Sequence, residues 1–490
     1  MRRREQFPEW LLVVFTFAAC IPWLGCATNP ATGKSQIMLI SEQQEIELGE
    51  REDANTVAQF GLYDSPKLQN YVQEIGLSLA GVSERPNLPW SIKVLDDPVV
   101  NAMALPGGYV YLTRGILAHL NSEAELATVL GHEIGHVTAR HSANQMSKAQ
   151  LAGIGLGIGM MVDPGVAGLS DIAQMGTQVL FLKFSRDDER QADELGVRYL
   201  VKDGYDPRES PQVFEMLRRV SAQSQQGSVP GWMSTHPDPE NRSTRMRQLI
   251  SSSGSDFSDS RIARRTYLQS IDGLVFGKDP REGFFEGTKF IHPELAFQLD
   301  FPDRWGTRNT KEMVAAVSPD QDAVVYLILV AERRLEEAVN AFSRQNGVTV
   351  DSYQRGEFNG LSAVWAGFRA SIGQTPVSGR VAFVKLDGKI FRLLGYTRQD
   401  LWSRYNGTID RSIQSFGRLR DRRYLSVQPQ TIEIVELDRA MTLTEFNRLY
   451  PSSVELEEIA LINNASPQTA FERGELIKRV IGGSSGPRQD

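Results

Sequence analysis

Apolar positions fall into blocks of different period along the 490-residue chain. The first block is continuous: LLVVFTFAACIPWLGC over residues 11–26, preceded by MRRR and followed by polar ATNPATGKSQ. A positive start, a short apolar core and small residues at its end make an export signal. Glu9 and Pro22 bound and interrupt the run, which makes it a borderline spanning helix. Residues 42–60 and 65–79 carry spaced apolar positions with few breakers and predict two amphipathic helices, the second stopped by PNLPW. SIKVL (91–95) alternates like a strand, and NAMALPGGYVYLT (101–113) predicts a strand pair bent at Pro106-Gly107-Gly108. Asn121 is then expected to cap one helix running through SEAELATVLGHEIGHVTARHS, with acidic residues in its first turn. LAGIGLGIGMMV (151–162) is apolar on all sides and too short to span a bilayer in the ordinary way. It reads as a buried helix or, because glycine weakens a helix, as a mobile or membrane-touching element. Further helices are predicted at 188–202 and 210–225.

SSSGSDFSDS (251–260) reads as a boundary. Beyond it the texture changes. Residues 297–301 and 323–330 look like strands, 335–342 and 401–416 like helices. Runs 381–386 and 389–396 are joined through Asp387-Gly388, a hairpin signal. The last block begins with strand-like TIEIVEL. Helical TLTEFNRLY and LEEIALIN follow, and GELIKRVIG closes a small β-α-α-β unit. No fixed-period repeat marks a solenoid.

Composition narrows the function classes. Lys plus Arg is 53 against 60 Asp plus Glu, for a net charge of −7, which makes non-specific nucleic-acid binding a poor expectation. Both cysteines, Cys20 and Cys26, lie in the first block, so neither a disulfide framework nor a cysteine nucleophile is available downstream.

The chemistry concentrates in HEIGH, residues 132–136. Four residues apart on a helix, His132 and His136 stack on one face, where two imidazoles can meet one Zn²⁺. Glu133 stands beside the first ligand, placed to act as general base. A chance HExxH on a helix is the bland alternative. A catalytic zinc needs a third protein ligand. Glu189, with Asp193 one turn further on, offers a ligand and a carboxylate to hold the outer N–H of a ligand histidine. The alternative is a pair of solvent-facing acids beside Arg186 and Arg190. His141, at i+5 from His136, reads as a packing or surface histidine that points away from the pair.

Several local patterns together resemble a large family of zinc metallopeptidases, the one containing CAAX prenyl proteases and HtpX-like peptidases. They are GCATNPATGK at 25–34, NAMALPGGYVYLTRG at 101–115, HEIGHVTARH at 132–141, SRDDERQAD at 185–193 and MSTHPDPENR at 233–242. The likeness is nearest to exported, cell-envelope members. It implies His132, His136 and Glu189 as ligands of one Zn²⁺, Glu133 as base and Asp193 as the carboxylate behind a ligand. It also implies that His236 approaches the metal and blocks its open position, against a bland reading as a loop histidine. Arg242 would lie near the site, positioning substrate or stabilising the oxyanion. The segment Asn101, Ala102, Met103, Ala104, Leu105, Pro106, Gly107, Gly108 would be an edge strand beside the cleft, where an extended substrate pairs its backbone.

The WLGC segment resembles a lipoprotein processing site, which implies lipid on Cys26 and, from Ala27, an outer-membrane address. Residues 431–480 resemble a degenerate LysM module, which implies peptidoglycan as a partner; the alternative is a small docking domain. The block before it vaguely resembles adaptor domains of the PsbP or Mog-one type.

The expected architecture is α+β and multidomain. Residues 1–25 are the signal and 26–250 a mostly helical HExxH zincin-type domain with a small β edge element. A linker at 251–262, an α+β accessory domain at 263–425 and a LysM-like module at 426–490 follow. The expected function is an exported zinc endopeptidase on the periplasmic side of the envelope, cutting unfolded or misassembled proteins, with outer-membrane assembly machinery as a further partner. The rival readings are an assembly chaperone with a closed peptidase site and a wall-binding scaffold with structural zinc.

Overall fold

The computed structural model describes residues 26–151, 183–223, 231–236, 241–373 and 375–483. The expected signal at 1–25 and the glycine-rich run past Leu151 lie outside them. Among the described residues no helix is long and apolar enough to cross a membrane.

A short hairpin, β1 (Cys26–Thr28) and β2 (Ser35–Ile37), opens the chain. Helix α1 (Glu42–Phe60) starts at a capping box between Ser41 and Gln44, and α2 (Pro66–Gly81) at Ser65 with proline in its first turn. A three-stranded sheet follows, in the order β3 (Ser91–Leu95), β5 (Tyr109–Thr113), β4 (Ala102–Leu105). β3 runs parallel to β5 and β4 antiparallel, so β4 is an outer strand. The β4–β5 turn needs its glycines. Gly107 has φ +84°, and a Cβ there would stand 2.7 Å from Ile46 Cα.

After α3 (Arg114–His119) comes the motif helix α4 (Glu123–Thr138), all of whose residues are buried. Ser122, not Asn121, is its cap: the Ser122 hydroxyl accepts from Glu125 N, while Asn121 N donates to Glu125 Oε2. The expected single helix also breaks. Arg140 adopts φ +61° and a second helix, α5 (His141–Leu151), starts afresh. Two contacts hold the break: Arg140 donates to Glu45 Oε1 and to Ile40 O.

α6 (Arg186–Lys202) packs on α4 through glycine. A Cβ at Gly135 would meet Ala192 O at 3.0 Å, and one at Gly196 would meet His132 N at 3.1 Å. This close approach carries the acids of α6 to the histidines of α4. The domain continues through α7 (Ser210–Gln223), α8 (Gly231–Thr235), α9 (Arg242–Ser252) and α10 (Arg264–Ser270). Residues 251–262, read as a linker, are bonded back onto it. Phe257 is buried in its core, Arg261 N donates to Gly204 O, and Ile262 O accepts from Ala124 N. β6 (Val275–Phe276) leads out of the core.

The accessory region is an antiparallel eight-stranded sheet. Its long central strands are Ala323–Val330, Lys389–Arg398, Thr375–Leu386 and Leu361–Ile372, in that order. The Asp387-Gly388 turn joins two of them with both central residues at positive φ, as its sequence predicts. One face packs against α11 (Leu335–Ser343), the other against α12 (Trp402–Gln414).

The C-terminal unit is the expected β-α-α-β arrangement. β7 (Gln430–Glu436) pairs antiparallel with β8 (Leu476–Gly482), with α13 (Leu443–Leu449) and α14 (Leu456–Ile462) between them in sequence. β7 also pairs with β6. Its apolar residues, among them Ile432, Phe446 and Ile477, join one continuous core with α2, α4 and α6.

Candidate metal centre

His132 and His136 bring their Nε2 atoms to 3.0 Å of each other on one face of α4. Glu189 of α6 reaches both, with carboxylate oxygens 3.5 Å from each Nε2. His236, just after α8, places Nδ1 at 2.8 Å from Glu189 Oε1 and 3.3 Å from His132 Nε2. All four side chains are buried, and one donor atom from each lies within 4.8 Å of the others. The helical pair, the i,i+4 acids and the later histidine therefore meet at one point.

The surrounding hydrogen bonds assign the tautomers. His132 Nδ1 lies 3.0 Å from Asp193 Oδ1, and its N–H is assigned to that bond. The Arg242 NH2 group, 3.1 Å from the same nitrogen, already bonds that carboxylate. His136 Nδ1 lies 2.9 Å from His141 Nδ1, and His141 Nε2 lies 2.9 Å from Gln191 Oε1. An amide oxygen only accepts, so His141 donates to Gln191 and accepts from His136. Both ligand histidines are thus left with bare Nε2 lone pairs facing each other.

Two lone pairs at that separation repel unless a cation lies between them. Glu189 Oε2 and Glu133 Oε2 are also buried without a hydrogen-bond partner. Three imidazoles and a carboxylate are a donor set that suits zinc. The residues present fit such an ion.

Electrostatics agree. Burial and the Arg242 guanidinium push His132 down to about 3, so it stays neutral at physiological pH. Burial alone would raise Glu189, but His236 and Arg242 outweigh it and hold the carboxyl well below its ordinary range. Burial likewise pulls His236 down, and the carboxylates of Glu189 and Glu133 more than reverse that. Arg242 is buried and clamps the α6 acids. Nε lies 3.1 Å from Asp193 Oδ2, and NH1 lies 2.8 Å from Glu189 Oε2, out of line for a hydrogen bond.

Three side chains here escaped the sequence reading. His141 is not turned away: the left-handed Arg140 swings it back, buried, onto His136. Replacing His141 by Ala is expected to weaken zinc binding roughly 10- to 100-fold, by freeing the tautomer and tilt of His136. Chelator competition reads this, and unchanged affinity would remove His141 from the site. Trp232 stacks on His236, with centroids 4.7 Å apart at 22°, and donates its indole N–H to Glu133 Oε1 at 3.3 Å. Phe184 stacks on His136 at 3.9 Å. Neither aromatic has a spacing signal: Phe184 arrives through a loop and Trp232 on the five-residue α8.

The Asn101–Gly108 segment forms β4 and its turn. Among the described residues no strand pairs with the outer edge of β4. Trp232 N reaches Val100 O, which brings α8 to the start of that strand.

Residues 66–250 match the model of Peptidase family M48. The resemblance to a zinc metallopeptidase family holds at the level of that domain, whose motif, acids and later histidine form this cluster. The chain is 36% identical over 170 residues to the mitochondrial metalloendopeptidase OMA1 of Arabidopsis thaliana, covering 34% of this chain and 33% of that protein. It is 29% identical over 246 residues to the beta-barrel assembly-enhancing protease of Escherichia coli (strain K12), covering 47% and 50%. The matches thus span a third to a half of those relatives. Among solved structures, cyanobacterial PsbP from Synechocystis is similar at a TM-score of 0.23 and 13% identity, covering 28% of this chain and 95% of that one.

Proposed function

We propose that this chain is a zinc-dependent endopeptidase of the bacterial cell envelope, hydrolysing peptide bonds in unfolded or misassembled envelope proteins. One observation carries the reading: a buried three-histidine, one-glutamate cluster with an unpartnered glutamate oxygen beside it, inside an M48 peptidase domain. The relatives named as an assembly-enhancing protease and a metalloendopeptidase support it. Export and a lipid on Cys26 are proposed from the first 26 residues.

His132, His136 and Glu189 would hold one zinc per chain. When bound, the metal supplies Lewis acidity, acidifying a water and polarising the scissile carbonyl. Glu133 Oε2 is the group placed to take a proton from the attacking water and return it to the leaving amine. The Trp232 indole N–H holds the other oxygen of that carboxylate. Asp193 and His141 fix the two ligand rings. Arg242 is committed to Asp193 and Glu189, so its contacts support a role in positioning those acids more than one in meeting substrate. The free edge of β4 is proposed to pair with an extended substrate. Such pairing reads backbone rather than sequence, which suits unfolded chains.

The deciding experiment uses the purified chain from residue 27. About one zinc per chain is expected, with cleavage of unfolded casein abolished by a chelator and restored by zinc. A folded, zinc-loaded chain that cleaves nothing would shift the weight to a scaffold with structural zinc.

The contact of His236 with Glu189 favours a second state of the same enzyme, in which His236 occupies the open position. His236→Ala is then expected to raise proteolysis several-fold with zinc retained, and unchanged activity would count against a closed form. Peptidoglycan, implied by the LysM likeness of residues 431–480, and the outer-membrane assembly machinery are proposed as further partners. Pelleting with sacculi and cross-linking in cells test them.

A further inference from the structure

The segment that follows the export signal is not a tether. Cys26 is already in a strand, paired opposite Ile37. Ile37 is fastened to α5, its carbonyl accepting from Asn144 Nδ2 at 2.8 Å. Two residues further on, Leu39 N donates to Ser147 Oγ at 2.9 Å. Asn29 makes the decisive contact. Its side chain is buried, Oδ1 accepts from Ala31 N, and Nδ2 donates to Ala139 O at 3.2 Å. Ala139 is the C-terminal cap of the motif helix, three residues past His136.

Chain geometry bounds the consequence. Three residues span about 10 Å at most, and three residues of helix rise about 4.5 Å. With the asparagine side chain and its hydrogen bond between, His136 lies within roughly 25 Å of Cys26 by this path. The apolar run of residues 11–26 ends at that cysteine, and a lipid there or an uncut segment would enter the bilayer at the same place. Beside it the hairpin leaves Ile37 and Leu39 exposed, 37% and 39%.

We infer that the hairpin of residues 26–39 is a rigid mount that seats the peptidase domain on a bilayer surface, with Ile37 and Leu39 against the lipid. The metal centre is thereby held near the membrane, and the substrate class narrows to chains emerging from or lying along that surface. The inference rests on the proposal that the first residues anchor this protein.

The test reads position rather than activity. A fluorophore is placed on Leu39→Cys in the lipidated chain with Cys20→Ser, where an acylated Cys26 takes no label. The protein is reconstituted in phosphatidylethanolamine–phosphatidylglycerol vesicles carrying nitroxide lipids. At least threefold stronger quenching is expected than in the same chain with twelve Gly/Ser residues inserted directly after Cys26, which frees the anchor point from β1 and adds a reach of about 20 Å. Equal quenching in the two chains overturns the mount while leaving the anchor intact. A label on Cys26 in a chain whose mass shows residues 1–25 removed takes away the anchor itself, and with it the inference. Neither result bears on whether the zinc site cleaves peptides.

Discussion

Replacing Glu133 by Gln is expected to lower kcat for an unfolded protein substrate by about 10²- to 10⁴-fold, with zinc content and fold unchanged. The geometry explains why the loss falls on chemistry alone. Glu133 is not among the cluster's ligand atoms, and its Oε1 already accepts from the Trp232 indole. A glutamine amide oxygen can keep that bond and the same volume. What it cannot do is take a proton at Oε2, the oxygen buried without a partner. Glu189→Gln should behave differently, losing metal and activity together, because Glu189 contacts both ligand histidines. Single-turnover cleavage beside metal analysis separates the two outcomes. A Glu133→Gln chain within tenfold of the wild type would remove Glu133 as the base and leave proton transfer to another group.

The parts of this site legible in the sequence are those set by helical period. HExxH places two histidines on one face, and Glu189 with Asp193 repeats that spacing on a second helix. The contact between the helices was legible in principle: Gly131 and Gly135 lie four apart, opposite Ala192 and Gly196. His141 was misread because i+5 points away only if the helix continues, and Arg140 breaks it. The signal for that break lies far off, in Glu45 and Ile40 of the N-terminal segment. Phe184 sits in a loop and Trp232 in the five-residue α8, too short for a periodicity to report direction. In the accessory region the Asp387-Gly388 turn fixed a register locally. The pairing of β6 with β7 joins residues more than 150 positions apart, and nothing local encodes it.

The same long-range construction makes Lys478 the place where the C-terminal unit bears on the catalytic helix. Lys478 lies in β8, fully buried, and its ammonium donates to Ala118 O at 2.9 Å and Leu120 O at 2.8 Å. Those carbonyls precede α4; burial pulls the amine well below its ordinary range, and Glu125 in the first turn of α4 only partly opposes that. Burial raises Glu125 to about 7, even with the bond from Asn121 N and, less strongly, the Lys478 amine acting against it. Lys478→Met keeps the packed stem but leaves two buried carbonyls without donors and Glu125 without its cation. Each buried carbonyl left without its donor costs about 1–3 kcal/mol. Because β8 and α4 share one core, the loss should not stay in the C-terminal unit. Native-state hydrogen exchange is expected to show faster opening of α4 and β8 together, with the accessory sheet unchanged. If β8 alone opened faster while α4 kept its protection, the C-terminal unit would be a separate domain resting on the peptidase rather than a part of its core.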